Sequence, residues 1–396
     1  MKILIFSSRY LPETGGIQNI VSDLVTDFKN QNTVEVISAI NINDFVKSRL
    51  KKFLLGFFYF KRVEFYKDTK NYRVFLSLPR GFFGFLSFFV RFPFSIFYLR
   101  HIISRKKYDI VNAHFLDDSL IYFYFATLFK RMPIILNIHG NELHQFSTSK
   151  FYRFFYRKIL YKSKCVIVNS EYMRNELLKK YKKLKASKIT IISNGIDVSN
   201  SYKTIDKSPK NYYLFVGRID KKKGIEILLK AFANVSTQIK KDLYIVGGAS
   251  GEKKHGSLSL QMLKNKYSQY SNIHFLGSIS RTDVIEKMRN AYFTVFPSIH
   301  EPFGIVALES MYCATPFIAS SGGFIEIAKS TQSGIIFKTN NVKALSSLLL
   351  RVDKDTTIRN RLANNCIKEI ANYNIKKISQ KYLETFNKYA KSTNSK

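Results

Sequence analysis

Two carboxylates eight positions apart, Glu301 and Glu309, lie in the stretch SIHEPFGIVALESMYCATPFIASSGG, residues 298–323. An apolar strand runs into a Pro302–Gly304 turn, and a helix starts near Gly304. One carboxylate is therefore in the turn and the other about two helical turns further on. The helix start offers the backbone N–H groups of Phe303, Gly304 and Ile305 to an anion. Such a site suits a ligand that carries a phosphate and several hydroxyls. The amides hold the phosphate, and the carboxylates, which repel it, accept hydrogen bonds from the hydroxyls. The bare spacing also fits a solvated helix face. Arg218 and Lys223 flank a second strand-to-helix turn, GRIDKKKG, with Gly224 opening the helix. Two cations over such a turn suit a diphosphate; the alternative is that Lys221, Lys222 and Lys223 are a solvated charge run. His139 ends the apolar run MPIILNIHG. A His there faces the ligand end of a doubly wound sheet, or else is a satisfied structural histidine. His114 ends another apolar strand and is a weaker candidate.

The elements that must position these groups alternate strand and helix along 396 residues, a length that suggests two domains. Residues 2–7, KILIFS, form a first strand. The run is too short for a signal peptide. A loop with Pro12, Gly15 and Gly16 leads into a helix with Ile17, Ile20, Val21, Leu24 and Val25 on one face, and TVEVISA returns as a strand. This βαβ opening lacks GxGxxG, so it is no dinucleotide fingerprint. Its Gly-Gly turn is either a ligand contact or only a tight turn. DLYIVGG leaves its strand through Gly247 and Gly248, and KITIISNGID closes the first half. The pattern predicts an α/β chain of two doubly wound, Rossmann-like domains with parallel sheets. The expected boundaries are 1–195, 196–372, and a tail helix, 373–396, packing back on the first domain.

The net charge of +36 fits nucleic acid, an anionic membrane or an anionic substrate. No nucleic-acid module is present, so nucleic acid is not expected as a partner. Residues 45–107 mix Phe and Tyr with Lys and Arg. They read as one or more interfacial helices, with Lys47, Arg49, Lys51, Lys52, Lys61 and Arg62 against anionic lipid. A core helix pair with basic edges is the alternative. The most apolar piece, Gly81 to Leu99, carries Arg91 and Pro93 and is barely long enough to span a bilayer. Three scattered cysteines, Cys165, Cys313 and Cys366, fit a reduced compartment and neither a disulfide scaffold nor a zinc site.

EPFGIVALE with its flanking strands resembles the E-x7-E motif of the retaining, GT-B-fold glycosyltransferases of the GT4 family, or group 1. Further likenesses are the family's HG-x-[DE] element at His139, GR-x4-KG at Arg218 and Lys223, PNG-[IV]-D at 193–197 with Ser193 for Pro, and GG-x-PEI at 322–327 with Ile325 for Pro. The resemblance covers most of the chain, is strongest over 212–337 and is absent over 45–107. It implies a GT-B fold whose domains face a central cleft, and transfer of a hexose-type sugar from a nucleotide-diphosphate donor with retention. It also implies roles for the site residues. Arg218, Lys223 and the amides of Phe303, Gly304 and Ile305 meet the leaving diphosphate. Glu309 holds ribose hydroxyls, Glu301 positions the sugar, and His139 sits at the reacting face. Gly15, Gly16 and Gly247 approach the donor, and the loop around Ser278–Ser280 lies against the base.

The expected acceptor is a glycan or a polyisoprenoid- or lipid-linked glycan, in assembly of a cell-surface polysaccharide such as lipopolysaccharide. The protein is expected in the cytoplasm, peripheral on the membrane. Cations in place make a metal unnecessary, and no cofactor besides the nucleotide sugar is expected. Asp353-Lys354-Asp355 has DxD spacing but reads as a helix-end loop, and Asp117-Asp118 shows no clear metal geometry. Two other readings keep the fold: an inactive membrane-docking subunit, against which the intact site residues argue, and a nucleotide-sugar epimerase.

Overall fold

The computed structural model describes residues 1–12, 15–40, 61–76, 81–114, 119–128, 132–140, 150–199, 211–248 and 260–391. They form two compact units. One comprises Met1–Asn169, Arg174–Ser193 and Ile375–Lys396; the other comprises Ser170–Met173 and Asn194–Asn374.

The first unit holds strands β1 (Lys2–Ser7), β2 (Thr33–Ala39), β3 (Lys61–Tyr66), β4 (Thr69–Val74), β5 (Ile110–His114), β6 (Ile134–Ile138), β7 (Cys165–Val168) and β8 (Ile189–Ile191). Their order is β3-β4-β2-β1-β5-β6-β7-β8. All pair in parallel except β3 with β4. Strands such as IVNAH and IILNI are buried at every position, as a sheet covered on both faces requires. The strand order reverses between β1 and β5, the crevice where such sheets take ligands at their strand C-termini. The final helix, Ile375–Lys391, belongs to this unit. It buries Ile375, Ile378, Tyr382 and Phe386, spaced by three and four residues, and sets Tyr382 and Phe386 against Phe28 of the first helix, Gly16–Phe28.

The expectation of interfacial helices across 45–107 is corrected over 61–76. KRVEFY and TKNYRV are β3 and β4, an antiparallel hairpin at the sheet edge. The turn residues Lys67 and Asp68 take φ 46° and 57°, the type I′ geometry that matches strand twist. Arg62 therefore lies on a strand and pairs with Glu64 at 2.9 Å. Lys47, Arg49, Lys51 and Lys52 lie outside the described residues. Residues Gly81–Arg105 do form one long helix. Arg91 turns inward, with its guanidinium 3.9 Å from the Phe75 ring. Among the described residues no helix is long and apolar enough to cross a membrane.

The second unit holds β9 (Tyr212–Val216), β10 (Asp242–Val246), β11 (Ile273–Gly277), β12 (Phe293–Phe296), β13 (Phe317–Ala319) and β14 (Gly334–Ile336). Their order is β11-β10-β9-β12-β13-β14, parallel throughout. The reversal here falls between β9 and β12. A core of Tyr213, Phe215, Leu228, Phe232, Phe293 and Leu349 fixes the strands beneath it.

Candidate active site

The C-terminal ends of β9 and β12 are neighbours, so the turns that follow them are built together. After β9, Asp220 Oδ1 accepts the Lys223 N–H at 2.9 Å and caps the one-turn helix Lys221–Lys223. Gly224 then enters the left-handed region at φ 67°. A Cβ there would lie 1.9 Å from Pro297 O, at the exit of β12, so only glycine lets the two turns approach. The result is an ion pair: Lys223 Nζ is 2.7 Å from Glu301 Oε2, and Glu301 is 8% exposed. Arg218 stays largely exposed, 3.4 Å from Asp220.

The β13 exit clamps Glu301 from the other side. Ser320 Oγ and Ser321 Oγ both donate to Ser298 O, and the Gly323 N–H donates to Glu301 O at 2.9 Å. Gly322 takes φ 59°, and a Cβ there would sit 1.8 Å from Glu301 O. The helix Ile305–Tyr312 begins at Gly304 with no side-chain cap. The N–H groups of Phe303, Gly304 and Ile305 have no acceptor among the described residues. They form the donor end of a helix dipole. Phe303 itself lies in the buried core that also holds Phe296, Phe317 and Phe324.

Glu309, two turns along that helix, meets Arg281 Nη1 at 3.0 Å. Burial pushes its carboxyl above the ordinary range, and the Arg281 guanidinium opposes that shift. Arg281 opens the helix Arg281–Asn290, capped by Ser280 Oγ, and was absent from the sequence-derived set. Its signal was a cation directly after the Ser cap of SIS.

Gly247 takes φ 140°, and its N–H is spent on Gly277 O at 2.8 Å. A Cβ at Gly247 would lie 1.8 Å from Gly217 O, so this residue lets the loop carrying Arg218 lie close. In the first unit, Gly15 caps the helix Gly16–Phe28 and Gly16 is its first residue.

His139 follows β6 and is 8% exposed; His114 ends β5 and is fully buried. His114 Nδ1 and His139 Nε2 are 3.2 Å apart, and the rings stack with centroids at 5.4 Å. Burial pushes His139 down to about 4 and His114 well below its ordinary value, so both are neutral near pH 7. Asn141 and Glu142 of the HG-x-[DE] element lie outside the described residues, as do Asp117 and Asp118. Asp353 pairs with Lys241 at 2.9 Å, and Asp355 caps the helix Thr356–Glu369. The DxD-spaced pair thus has structural partners.

Comparison with known proteins gives concordant matches. The family described as Glycosyl transferases group 1 matches residues 199–369, and Glycosyltransferase Family 4 matches residues 14–200. The chain is 30% identical over 292 residues to the glycosyltransferase YqgM of Bacillus subtilis, covering 71% of this chain and 76% of that protein. It is 27% identical over 237 residues to the N,N'-diacetylbacillosaminyl-diphospho-undecaprenol alpha-1,3-N-acetylgalactosaminyltransferase of Campylobacter jejuni, covering 57% of this chain and 59% of the other. The fold matches that of Anabaena HepE, whose crystal structure is a complex with UDP and glucose. The TM-score is 0.71 at 18% identity, over 98% of this chain and 99% of that one.

Proposed function

The chain belongs to the group 1 glycosyltransferases, with two parallel-sheet α/β units of the GT-B fold, and on that premise we propose that it moves a hexose-type sugar, with retention, from a nucleoside-diphosphate donor to a lipid-linked or glycan acceptor. One observation carries the reading: Lys223, Glu301, Glu309 and an uncapped helix N-terminus gather at the strand C-termini of one sheet. The transition state builds negative charge on the leaving diphosphate. Arg218, Lys223 and the amides of Phe303–Ile305 stabilise it. Glu301, held by its clamp, binds sugar hydroxyls, and Glu309 accepts from the ribose. His139 lies at the reacting face of the sugar. The complex of HepE with UDP and the undecaprenol-linked substrate in the Campylobacter enzyme's name support a uridine donor and a polyisoprenoid-linked acceptor.

The product enters a cell-surface polysaccharide or lipid-linked glycan, and the first unit meets an anionic membrane from the cytoplasmic side. Supporting this, Phe89, Val90, Phe94 and Phe97 are exposed on the helix Gly81–Arg105, as is Phe154 on the helix Lys150–Lys162. Arg153, Arg157 and Lys158 are exposed beside Phe154. Val63 and Phe65, also exposed, share the β-hairpin face of their cross-strand neighbours Tyr72 and Lys70. Such a mix of aromatic and cationic groups suits the headgroup region.

The test is a thermal-shift screen with UDP-, GDP-, ADP- and dTDP-sugars. A selective shift that vanishes in Arg218→Ala is the expected result. No shift with any donor, even with lipid-linked acceptor present, overturns the reading.

A further inference from the structure

Strands β7 and β8 of the first unit run side by side in parallel, and the chain just before each is rich in lysine. Lys164 precedes β7, and Lys183, Lys185 and Lys188 precede β8. A cavity of about 380 Å³ lies there, lined by these four lysines with Tyr161 and Ser187. Among the described residues its lining holds no carboxylate and no arginine. His139 follows β6, which is parallel to β7, so the cavity lies at the opposite end of the sheet from the candidate catalytic histidine.

The loop is built to hold its lysines at this mouth. Leu184 is buried and its N–H donates to Tyr181 O at 2.8 Å, while its neighbours Lys183 and Lys185 are exposed. The one-turn helix Ala186–Lys188 follows. Lys188 is half-buried, and its Nζ donates to Tyr161 O at 2.6 Å, tying the loop to the end of the helix Lys150–Lys162. That bond uses one of the three N–H groups of the ammonium. Burial pushes the Lys188 ammonium down, and the Lys164 charge adds to the push. Four cations with no carboxylate among them repel one another, and an anion seated between them removes that repulsion.

A lysine ammonium is a compact charge with three donors. Several of them suit a tetrahedral oxyanion met from several sides, whereas a planar carboxylate is matched by the arginine fork. Ser187 adds a hydroxyl donor. We propose that this cavity binds a phosphate group, carried by an anionic lipid headgroup. The source follows from the helix Lys150–Lys162. Phe154, Lys158 and Tyr161 are spaced by four and three residues and share one face, with Lys158 Nζ 5.4 Å from the centre of the exposed Phe154 ring. One helix face thus runs from an exposed aromatic to the cavity wall. The lipid source rests on the membrane contact proposed above; the phosphate site stands on the cavity alone.

The experiment uses full-length protein with vesicles of phosphatidylglycerol, vesicles of phosphatidylcholine, or inorganic phosphate. The reactivity of each lysine toward acetic anhydride is read by mass spectrometry. Phosphatidylglycerol should protect Lys164, Lys183 and Lys185 at least about threefold, inorganic phosphate more weakly, and phosphatidylcholine not at all. Lys183→Gln with Lys185→Gln should weaken binding to phosphatidylglycerol at least about tenfold. Lys179→Gln with Lys182→Gln removes the same charge from exposed lysines nearby that do not line the cavity, and should weaken it about threefold at most. Equal losses in the two variants mean a diffuse basic face and overturn the site. Vesicle binding that leaves the cavity lysines as reactive as before also overturns it, with the membrane reading intact. Protection by inorganic phosphate in a protein that ignores both vesicles overturns the lipid source and the membrane reading, and leaves the phosphate site standing.

Discussion

Lys223 Nζ lies 2.7 Å from Glu301 Oε2, bridging the point at which the strand order of the second sheet reverses. One residue follows β9 and the other β12, and the carboxylate is nearly buried. The cation proposed for the diphosphate and the carboxylate proposed for the sugar are thus a single electrostatic unit. Lys223→Ala leaves a buried carboxylate unpaired. We expect transfer to fall at least about a hundredfold, roughly 3 kcal/mol of transition-state stabilisation. Adding Glu301→Ala should cost less than it does alone, because the two act together. Steady-state rates of the four proteins check this, and full additivity would separate the two residues.

Arg281 governs the charge on Glu309. Burial raises the Glu309 carboxyl and Arg281 opposes it, so removing the guanidinium raises the carboxyl further. In Arg281→Ala the acid limb of the kcat/KM profile should move to higher pH, with donor KM increased. Superimposable profiles would show that Glu309 does not titrate in the reaction.

The buried histidines make stability depend on pH. His139 titrates at about 4 in the fold, below the ordinary 6.5, so the unfolded chain takes up its proton first. Its contribution is fully present above about pH 6.5 and is lost as pH falls toward about 4, up to about 3 kcal/mol. His114, pushed down as well, adds to the slope. Denaturant unfolding between pH 8 and 4 checks this; His139→Asn should flatten the curve.

The metal prediction concerns catalysis. In the proposed site Arg218, Lys223 and the helix amides are the groups assigned to the diphosphate charge, and Asp353 and Asp355 are committed to Lys241 and a helix cap. Transfer should proceed at full rate in excess EDTA. Abolition by EDTA with rescue by Mg²⁺ would refute it.

Membrane contact is tested by sedimentation with anionic liposomes. Binding is expected at low salt and its loss at high salt. Phe94→Ser with Phe97→Ser should weaken it, both side chains being more than 60% exposed. Indifference to liposomes would remove the membrane from the account.

The strand-to-helix turns were legible because they are local. Gly224, Gly304 and Gly322 punctuate apolar runs, and each takes a positive φ that the sequence signals directly. The ion pairs were not legible, because Lys223–Glu301 and Arg281–Glu309 join residues that only the sheet order brings together. The contact of His114 with His139 was not legible for the same reason: its partner follows the neighbouring strand. The β3–β4 hairpin was missed because its turn is Lys-Asp, without the Asn-Gly or Asp-Gly that marks a type I′ turn, and because its strands are as basic as the segments around them. In the helix Gly81–Arg105 the apolar run was visible, but not the inward turn of Arg91 over Phe75.

The helix Ile375–Lys391 has a consequence for the order in which the protein is made. Its Ser379 Oγ donates to Asp27, 352 positions earlier, and its Tyr382 and Phe386 cover Phe28. During synthesis the second unit's long segment, Asn194–Asn374, leaves the ribosome before that helix exists. The unit begun first is therefore finished last. Until then Phe28 waits without its cover, and a ribosome stalled short of residue 375 holds a first unit with an open apolar face, a natural target for a chaperone.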